Sequence, residues 1–211
     1  MIRLENLAIE RGGKTLFRGI DLHLAAGEKA VITGPSGCGK TSVLMAVMGI
    51  FAPAAGRITV DGLEVEPGSI AAVRRRIAFI SQEPILGTEN VDEALNLPFN
   101  FKANRDAKPA RKDIDSVLER LRLDRSTIGK ASKKISAGEK QRIAIARALL
   151  LGKSIFLVDE ATSALDPESK DAVLEILFDS SFTILSVSHD RHWIDRCRKV
   201  LRAEDSKIVA V

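Results

Sequence analysis

Residues 29–41 read KAVITGPSGCGKT, and this stretch decides the fold because a short apolar run passes directly into a glycine-rich turn. The run at 29–33 predicts a buried strand, and helical spacing from Thr41 to Phe51 predicts a helix after the turn. The turn itself fits the pattern G-x-x-x-x-G-K-[ST], in which backbone N–H groups surround phosphates at a helix N-terminus. Strand, loop and helix in this order predict a phosphate-binding loop.

The phosphate loop supplies most of the candidate nucleotide ligands. Its glycines allow the backbone to fold round an anion, and Lys40 is expected to reach the β- and γ-phosphates. The hydroxyl of Thr41 is expected to ligate Mg²⁺. The alternative is a chance glycine turn, which the flanking strand and helix argue against. The nucleotide-binding candidates in this region are Gly34, Pro35, Ser36, Gly37, Cys38, Gly39, Lys40, Thr41 and Ser42.

A second apolar run, at residues 155–158, ends in the acidic pair Asp159-Glu160. Ligands of open α/β sheets bind at the C-terminal ends of the strands, so both carboxylates are expected there. Asp159 is the candidate to hold Mg²⁺, and Glu160 is the candidate to orient and deprotonate a water that attacks the γ-phosphate. A solvated strand end is the alternative interpretation.

The remaining pattern alternates between strands and helices. Apolar alternation near the N-terminus predicts strands and turns, and residues from about 82 to 137 are polar with helical spacing. This middle part is interpreted as an inserted helical subdomain. Further strands are predicted at 57–60, 77–80, 183–187 and 207–211, and further helices at 167–177 and around Trp193. The alternation predicts an α/β fold with a largely parallel sheet.

Composition is that of an ordinary globular protein. The 211 residues suffice for one well-buried domain, and the formal net charge is +4. The basic run at 102–112 is interpreted as a solvated loop and helix start rather than a nucleic-acid or lipid patch. Cys38 and Cys197 form neither a disulfide framework nor a metal motif. No apolar run approaches the roughly 20 residues that span a bilayer, so we expect a cytoplasmic protein unless a partner holds it at a membrane.

A phosphate loop alone leaves kinases, GTPases and helicases open, and four further motifs narrow the choice. Residues 135–142, ISAGEKQR, resemble the LSGGQxQR signature of ABC ATPases and precede the acidic pair. Gln82 matches the Q-loop of that family, residues 163–166 match its D-loop, and His189 matches its switch histidine. Taken alone, Ser136 and Glu139 would simply begin a helix as a capping box. The motifs occur in the family's order over almost the whole chain.

The resemblance implies a fold and a domain plan. The fold class would be α/β, a P-loop NTPase of the ABC ATPase type. Its core sheet would be mostly parallel, with an N-terminal antiparallel β subdomain and an inserted α-helical subdomain. Residues 1–211 would form a single ABC ATPase domain. About 1–81 and 141–211 would be the core with the β subdomain, and about 82–140 the helical subdomain carrying the signature.

The resemblance also assigns roles to single residues. Glu160, His189 and Gln82 would be catalytic, with Gln82 bridging Mg²⁺ and the attacking water. Thr41, Gln82 and Asp159 would be the metal ligands. Residues of the signature would contact the γ-phosphate held by the opposite subunit, so that ATP binding joins two copies. The nucleotide-binding residues added by the resemblance are Arg11, Ser136, Ala137, Gly138, Glu139 and Asp166.

Partners and location follow from the same resemblance. The chain would bind ATP and Mg²⁺, form a homodimer on ATP binding, and power substrate translocation by an integral membrane permease, with no nucleic-acid partner. It would lie in the cytoplasm, peripheral at the inner face of the cell membrane through that permease. The alternative is a mechanical ABC ATPase that regulates a membrane partner without solute transport. Within the family, the stretch 32–40 and the segment 96–99 resemble small ATP-binding subunits of the bacterial iron-export type.

Three positions depart from the family pattern. Ala137 replaces the first signature glycine, and Glu139 replaces the final glutamine with a negative charge beside an anion. Arg11 stands where the family stacks an aromatic residue on adenine, and the chain contains no tyrosine. A guanidinium can stack on a base. Cys38 is interpreted as a small filler residue or, because it precedes a helix, as a site sensitive to alkylation.

Overall fold

The computed structural model describes every residue from Met1 to Val211 and divides the chain into two compact units. Each unit is assembled from separated segments, because the chain leaves the first unit and returns to it twice. The first unit comprises Met1–Ile77, Ser154–Glu160 and Ser180–Val211, and the second comprises Ala78–Lys153 and Ala161–Asp179.

Strands and helices alternate along the chain. The strands are β1 (Ile2–Arg11), β2 (Lys14–Leu24), β3 (Lys29–Thr33), β4 (Ala55–Val60), β5 (Leu63–Glu64), β6 (Ile77–Ile80), β7 (Ile155–Asp159), β8 (Thr183–Val187), β9 (Lys199–Glu204) and β10 (Lys207–Ala210). The α-helices are α1 (Lys40–Val47), α2 (Ile70–Arg74), α3 (Val91–Asn96), α4 (Arg111–Arg120), α5 (Ala137–Leu150), α6 (Pro167–Leu177) and α7 (Arg191–Ile194). Short 3-10 helices occupy Leu97–Asn100, Arg105–Ala107, Arg125–Gly129 and Ser132–Lys134.

An antiparallel sheet forms the N-terminal part of the first unit. Its strand order is β2-β1-β4-β5, and β1 pairs antiparallel with both β2 and β4. The alternating apolar residues of β1, including Ile2 and Leu4, are buried, as the period of two predicts for a sheet with one covered face. The predicted N-terminal antiparallel subdomain is therefore confirmed.

The second sheet of the first unit is largely parallel. Five of its strands lie in the order β10-β9-β3-β8-β7, and β3 is parallel to β8 and β9, as β7 is to β8. Among these five strands, only β10 runs antiparallel, beside β9. Every residue of β7 and β8 is buried, as expected for parallel strands covered on both faces. The parallel arrangement places the residues that follow β3, β7 and β8 at one edge of the sheet.

The second unit is mainly helical, and α5 is its central helix. Helices α3 and α4 both pack against α5, whose buried side chains include Ile143 and Ile145. The α4 stripe buries Ile114 and Leu118, which its apolar spacing predicts. None of the helices in the protein is long and apolar enough to cross a membrane.

The structure corrects several predicted elements. Helix α1 ends at Val47 rather than Phe51, because Gly49 adopts a left-handed φ of +62° that closes the last turn. The last strand ends at Ala210, one residue earlier than predicted. Helix α2 was not predicted because it has only five residues, and β9 was not predicted because Arg202 interrupts its apolar residues.

A tight backbone approach in the antiparallel sheet yields a stability prediction. Asn6 and Leu7 of β1 face the single residue Gly56 of β4 in a bulge, and a Cβ at Gly56 would lie 2.4 Å from the carbonyl oxygens of Glu5 and Asn6. Gly62 has a similar left-handed φ but nothing within 4 Å of that position. We expect Gly62→Ala to cost about 1–2 kcal/mol of unfolding free energy, and Gly56→Ala at least about 2 kcal/mol more. Urea unfolding measures both, and equal losses would contradict the steric argument.

Candidate functional site

The loop between β3 and α1 has the backbone geometry of an anion cradle. Gly34, Gly37 and Gly39 have φ values of +140°, +76° and +100°, in the region that favours glycine. At Gly34 a Cβ would lie 2.5 Å from the carbonyl oxygen of Ala203, so only glycine fits there. Helix α1 begins directly after the loop, and its first N–H groups have no intrahelical acceptors. The predicted phosphate loop has the required conformation.

Lys40 is held inside this loop. The residue is 5% exposed, and its Nζ donates to the carbonyl oxygens of Gly34 at 2.9 Å and Pro35 at 2.7 Å. These carbonyls fix the ammonium within the curve of the loop. A phosphate bound there would meet a desolvated cation whose attraction is stronger than that of a solvated lysine.

Asp159 lies at the C-terminal end of β7, next to the start of α1. It is 5% exposed, and its side chain is hydrogen-bonded to the Thr41 side chain. Burial raises the pKa of Asp159 and the charge of Glu160 raises it further, while the Thr41 hydrogen bond and Lys40 lower it. Its Oδ1 atom is buried without a hydrogen-bond partner. A buried carboxylate oxygen without a partner is a functional-site feature.

These oxygen groups fit Mg²⁺. The ion prefers carboxylate and hydroxyl oxygens and usually takes only one or two protein ligands beside phosphates and waters. Asp159 and Thr41 are such ligands, and the buried Oδ1 atom would gain a partner. The protein contains no group of three or more His, Cys, Asp or Glu side chains that could hold a metal alone. The donor set therefore matches an ion shared with a nucleotide rather than a metal held by protein alone.

Glu160 and His189 meet beside this carboxylate. Oε1 of Glu160 lies 3.5 Å from Nε2 of His189. Glu160 has a left-handed φ of +45°, and its N–H donates to the Val187 carbonyl oxygen at 2.9 Å. A non-glycine residue in this conformation stores strain that the surrounding structure must hold. Two sequence-predicted catalytic residues are thus in contact.

Arg11 lies against an aromatic ring. Its guanidinium carbon is 4.6 Å from the centroid of the Phe51 ring, within the range of a cation–π contact. Arg11 ends β1 and its side chain is exposed. The sequence does not predict this contact with Phe51, since nothing in the spacing of Phe51 links it to Arg11.

The signature segment (residues 135–142) begins α5 in the second unit. Ser136 is the N-cap: its Oγ accepts from the Glu139 N–H at 3.2 Å, and Oε2 of Glu139 accepts from the Ser136 N–H at 3.0 Å. The predicted capping box is therefore present. A Cβ at Gly138 would lie 3.1 Å from the Ala164 carbonyl oxygen, so the segment packs tightly on the D-loop residues.

Glu139 makes a second contact that the sequence did not predict. Its Oε1 accepts from Nζ of Lys130 at 3.1 Å. The hydrogen bond from the Ser136 N–H is the main factor that lowers the pKa of Glu139, and Lys130 lowers it further, while burial raises it. Glu139, the acidic replacement in the signature, is therefore paired with a cation.

Gln82 lies in the second unit within the Gln82 loop (residues 81–86), which α5 holds at both ends. Gln141 is 1% exposed and donates Nε2 to the Ser81 carbonyl oxygen at 3.2 Å. Arg147 donates to the carbonyl oxygens of Ile85 and Leu86, both at 3.3 Å. Gln82 and Ala137 line one pocket of about 320 Å³, together with Glu83, Pro84, Lys140, Gln141, Ser163 and Ala164.

Asp166 is the N-cap of α6. Its Oδ1 accepts from the Ser169 N–H at 3.0 Å. A hydrogen bond with the Ser169 side chain, and then this backbone hydrogen bond, lower the pKa of Asp166. The structure thus gives Asp166 a capping contact within its own unit.

The predicted site residues fall into two groups. The first unit brings together Lys40, Thr41, Asp159, Glu160 and His189, while the second unit brings together Gln82 and the signature segment. The unpredicted contributors are Phe51, Lys130, Gln141 and Arg147. Of these, only Gln141 and Arg147 carry a sequence signal, because Gln141 lies within the signature segment and Arg147 lies on the helix that this segment begins.

Comparison with known proteins gives a consistent result. The family model described as ABC transporter matches residues 17–163. The probable iron export ATP-binding protein FetA of Escherichia coli is 33% identical over 205 residues, which cover 95% of this chain and 90% of that protein. ABC transporter B family member 1 of Arabidopsis thaliana is 34% identical over 203 residues, or 92% of this chain. The chain spans only 15% of that plant protein's length.

A solved structure described as a dimeric bacterial ABC transporter cassette matches with a TM-score of 0.85. It is 25% identical in sequence, and the match covers 99% of this chain and 96% of that one. The predicted fold class agrees with this likeness, including the largely parallel sheet.

The two cysteines differ in a way that predicts selective alkylation. Burial raises the pKa of Cys197 to about 12, so very little of this thiol is ionised at pH 8. Both cysteines are partly exposed, so the difference rests on the raised pKa of Cys197 and on the position of Cys38 in the phosphate loop. We expect N-ethylmaleimide at pH 8 to modify Cys38 at least tenfold faster than Cys197, and Mg-ATP to protect Cys38. Mass spectrometry of the wild type and Cys38→Ser measures this, and equal modification of both thiols would contradict it.

Proposed function

Because this chain belongs to the ABC transporter family, we propose that it is the ATP-binding and ATP-hydrolysing subunit of a transporter that acts as a dimer with a separate membrane permease. As a member of this family, the chain is an ATPase. The observation that carries the proposal is the gathering of Lys40, Thr41, Asp159, Glu160 and His189 in one unit.

Each of these residues has a task in ATP hydrolysis. The loop N–H groups and Lys40 would hold the phosphates, and Thr41 and Asp159 would hold Mg²⁺. When bound, Mg²⁺ supplies neutralisation of charge on the phosphate oxygens. Glu160 would accept the proton of the attacking water. His189, 3.5 Å from Glu160, would orient that carboxylate and contact the γ-phosphate.

The residues of the second unit complete the proposal. Gln82 would bridge Mg²⁺ and the attacking water, and the signature residues Ser136, Ala137, Gly138 and Glu139 would contact ATP held by a second copy. Asp166 would contribute at the same interface from the start of α6. Arg11, supported by Phe51, would stack on the base through its other face. The two units would act together as one ATPase domain.

The permease would dock near the Gln82 loop. Ile85 is 82% exposed, although its backbone is held by Arg147. This side chain would offer a membrane partner an apolar contact on a backbone that α5 holds in place. Docking there would place the chain in the cytoplasm at the inner face of the membrane. The names of the relatives favour transport over a purely mechanical role, and the name of the E. coli relative matches the predicted iron-export resemblance.

The first test concerns Glu160. Glu160→Gln keeps the shape of the side chain but cannot accept a proton, so we expect hydrolysis to fall about 10²- to 10⁴-fold while ATP binding remains. The trapped complex should then appear as a dimer only with Mg-ATP, measured by gel filtration with light scattering.

Lys40→Met is the matched control, because it should remain monomeric through loss of nucleotide binding. A Glu160→Gln protein that binds ATP and stays monomeric would contradict the dimer. A Glu160→Gln protein that hydrolyses ATP at the wild-type rate would contradict the assignment of the base.

The second test concerns Ile85. Ile85→Glu places a charge on the proposed docking surface, so permease-stimulated turnover should fall at least fivefold, about the effect of 1 kcal/mol at an interface. Basal ATPase activity should persist. Val209→Glu, at an exposed apolar residue of β10, is the control. ATPase assays of the copurified complex measure both, and full stimulation of Ile85→Glu would exclude this docking surface.

A further inference from the structure

Both carboxylate oxygens of Glu139 are engaged at the start of α5. Oε2 accepts from the Ser136 N–H and Oε1 accepts from Lys130, so the side chain cannot turn without losing one of them. Glu139 is 23% exposed and Lys130 is 43% exposed. The ion pair thus lies at the surface, where a partner could reach it.

The backbone around Lys130 is fixed from two directions. The Lys130 N–H donates to the Thr127 carbonyl oxygen at 3.1 Å, and its carbonyl oxygen accepts from the Val91 N–H at 3.2 Å. The next residues continue the contact, because Ala131 forms a bridge with Asn90 and the Ser132 N–H donates to the Glu89 carbonyl oxygen at 2.8 Å. Lys130 therefore contacts Glu139 from a segment whose backbone is held by hydrogen bonds.

The charge balance explains why the pair matters. A helix N-terminus carries roughly +0.5 of an elementary charge, and one carboxylate in the first turn reverses the sign to roughly −0.5. A paired lysine restores the positive value. Between residues 130 and 142 the chain has one acidic residue, Glu139, and five basic ones, Lys130, Lys133, Lys134, Lys140 and Arg142. Lys130 is the lysine in contact with the carboxylate.

We propose that Lys130 is a positioning residue for the nucleotide bound by a second copy of this chain. It neutralises Glu139 and holds it in the capping box, so that the start of α5 presents a positive end to the triphosphate. This inference rests on the proposed ATP-driven dimer. It explains how an acidic residue occupies a position that faces an anion.

The test uses the Glu160→Gln protein as parent, because its ATP-bound dimer should persist. Lys130→Gln removes the neutralising charge, and Lys133→Gln removes an equal charge from the same segment without touching Glu139. Lys130→Gln with Glu139→Gln removes both charges, and Lys130→Arg keeps the ion pair. The dimer dissociation constant with Mg-ATP is measured by light scattering or sedimentation at about 50 mM and about 300 mM salt.

A twofold symmetric dimer contains the ion pair twice, so the fold-change in its dissociation constant is the square of the fold-change at one site. An exposed ion pair worth two- to fivefold at each site predicts that Lys130→Gln weakens the dimer roughly 4- to 25-fold at low salt. The double variant and Lys130→Arg should return to within about twofold of the parent. Lys133→Gln should change the constant less than Lys130→Gln. The melting temperature and the affinity of the monomer for a fluorescent ATP analogue should change much less than the dimer dissociation constant.

The outcomes separate the inference from the proposed function. If the parent dimerises and Lys130→Gln dimerises equally well, or Glu139→Gln gives no rescue, the role of Lys130 is overturned and the dimer stands. If Lys133→Gln weakens the dimer as much as Lys130→Gln does, net charge rather than the ion pair accounts for the effect, and the inference is overturned. If the parent binds ATP but stays monomeric, the dimer is overturned and the role of Lys130 with it.

Discussion

The site depends on keeping one carboxylate, Asp159, where water hardly reaches it. Burial of such a group is costly unless charges and hydrogen bonds oppose the desolvation. Thr41 and Lys40 provide that opposition, and both belong to the start of α1. They can do so because β3 and β7 run parallel, which places the loop after one strand beside the end of the other. The contact of Asp159 with the start of α1 therefore depends on the parallel arrangement of these strands.

The strained conformation of Glu160 follows from the same constraint. Asp159 must end β7 with its side chain toward α1, and the next residue turns back at once with a φ of +45°. The Val187 carbonyl oxygen holds the Glu160 N–H, and His189 lies against its carboxylate. Strain of this kind persists only where neighbouring contacts determine the conformation. If Glu160 is the proposed base, these contacts would hold its carboxylate in one orientation.

Local sequence patterns predict most strands and helices and the site residues of the first unit. The phosphate loop and Asp159 are each fixed by a few consecutive residues, so that hydrophobic runs and glycine positions predict them. Lys130 is nine residues from Glu139, and 3-10 turns and an anchored segment bring the two together. No periodicity encodes such a contact. Strand β9 was missed for a related reason, because it is defined by its pairing with β3, which joins residues far apart in the chain.

Helix α5 links the two proposed contacts of the second unit. Its first turn carries Ser136 and Glu139, and its later turns hold the Gln82 loop through Gln141 and Arg147. A 14-residue helix is a stiff element, so a displacement of its N-terminus would also shift the carbonyl contacts near Ile85. Nucleotide contact and permease contact would then share one rigid body. On this proposal, displacement of the helix would couple the two contacts without a chain of side-chain rearrangements.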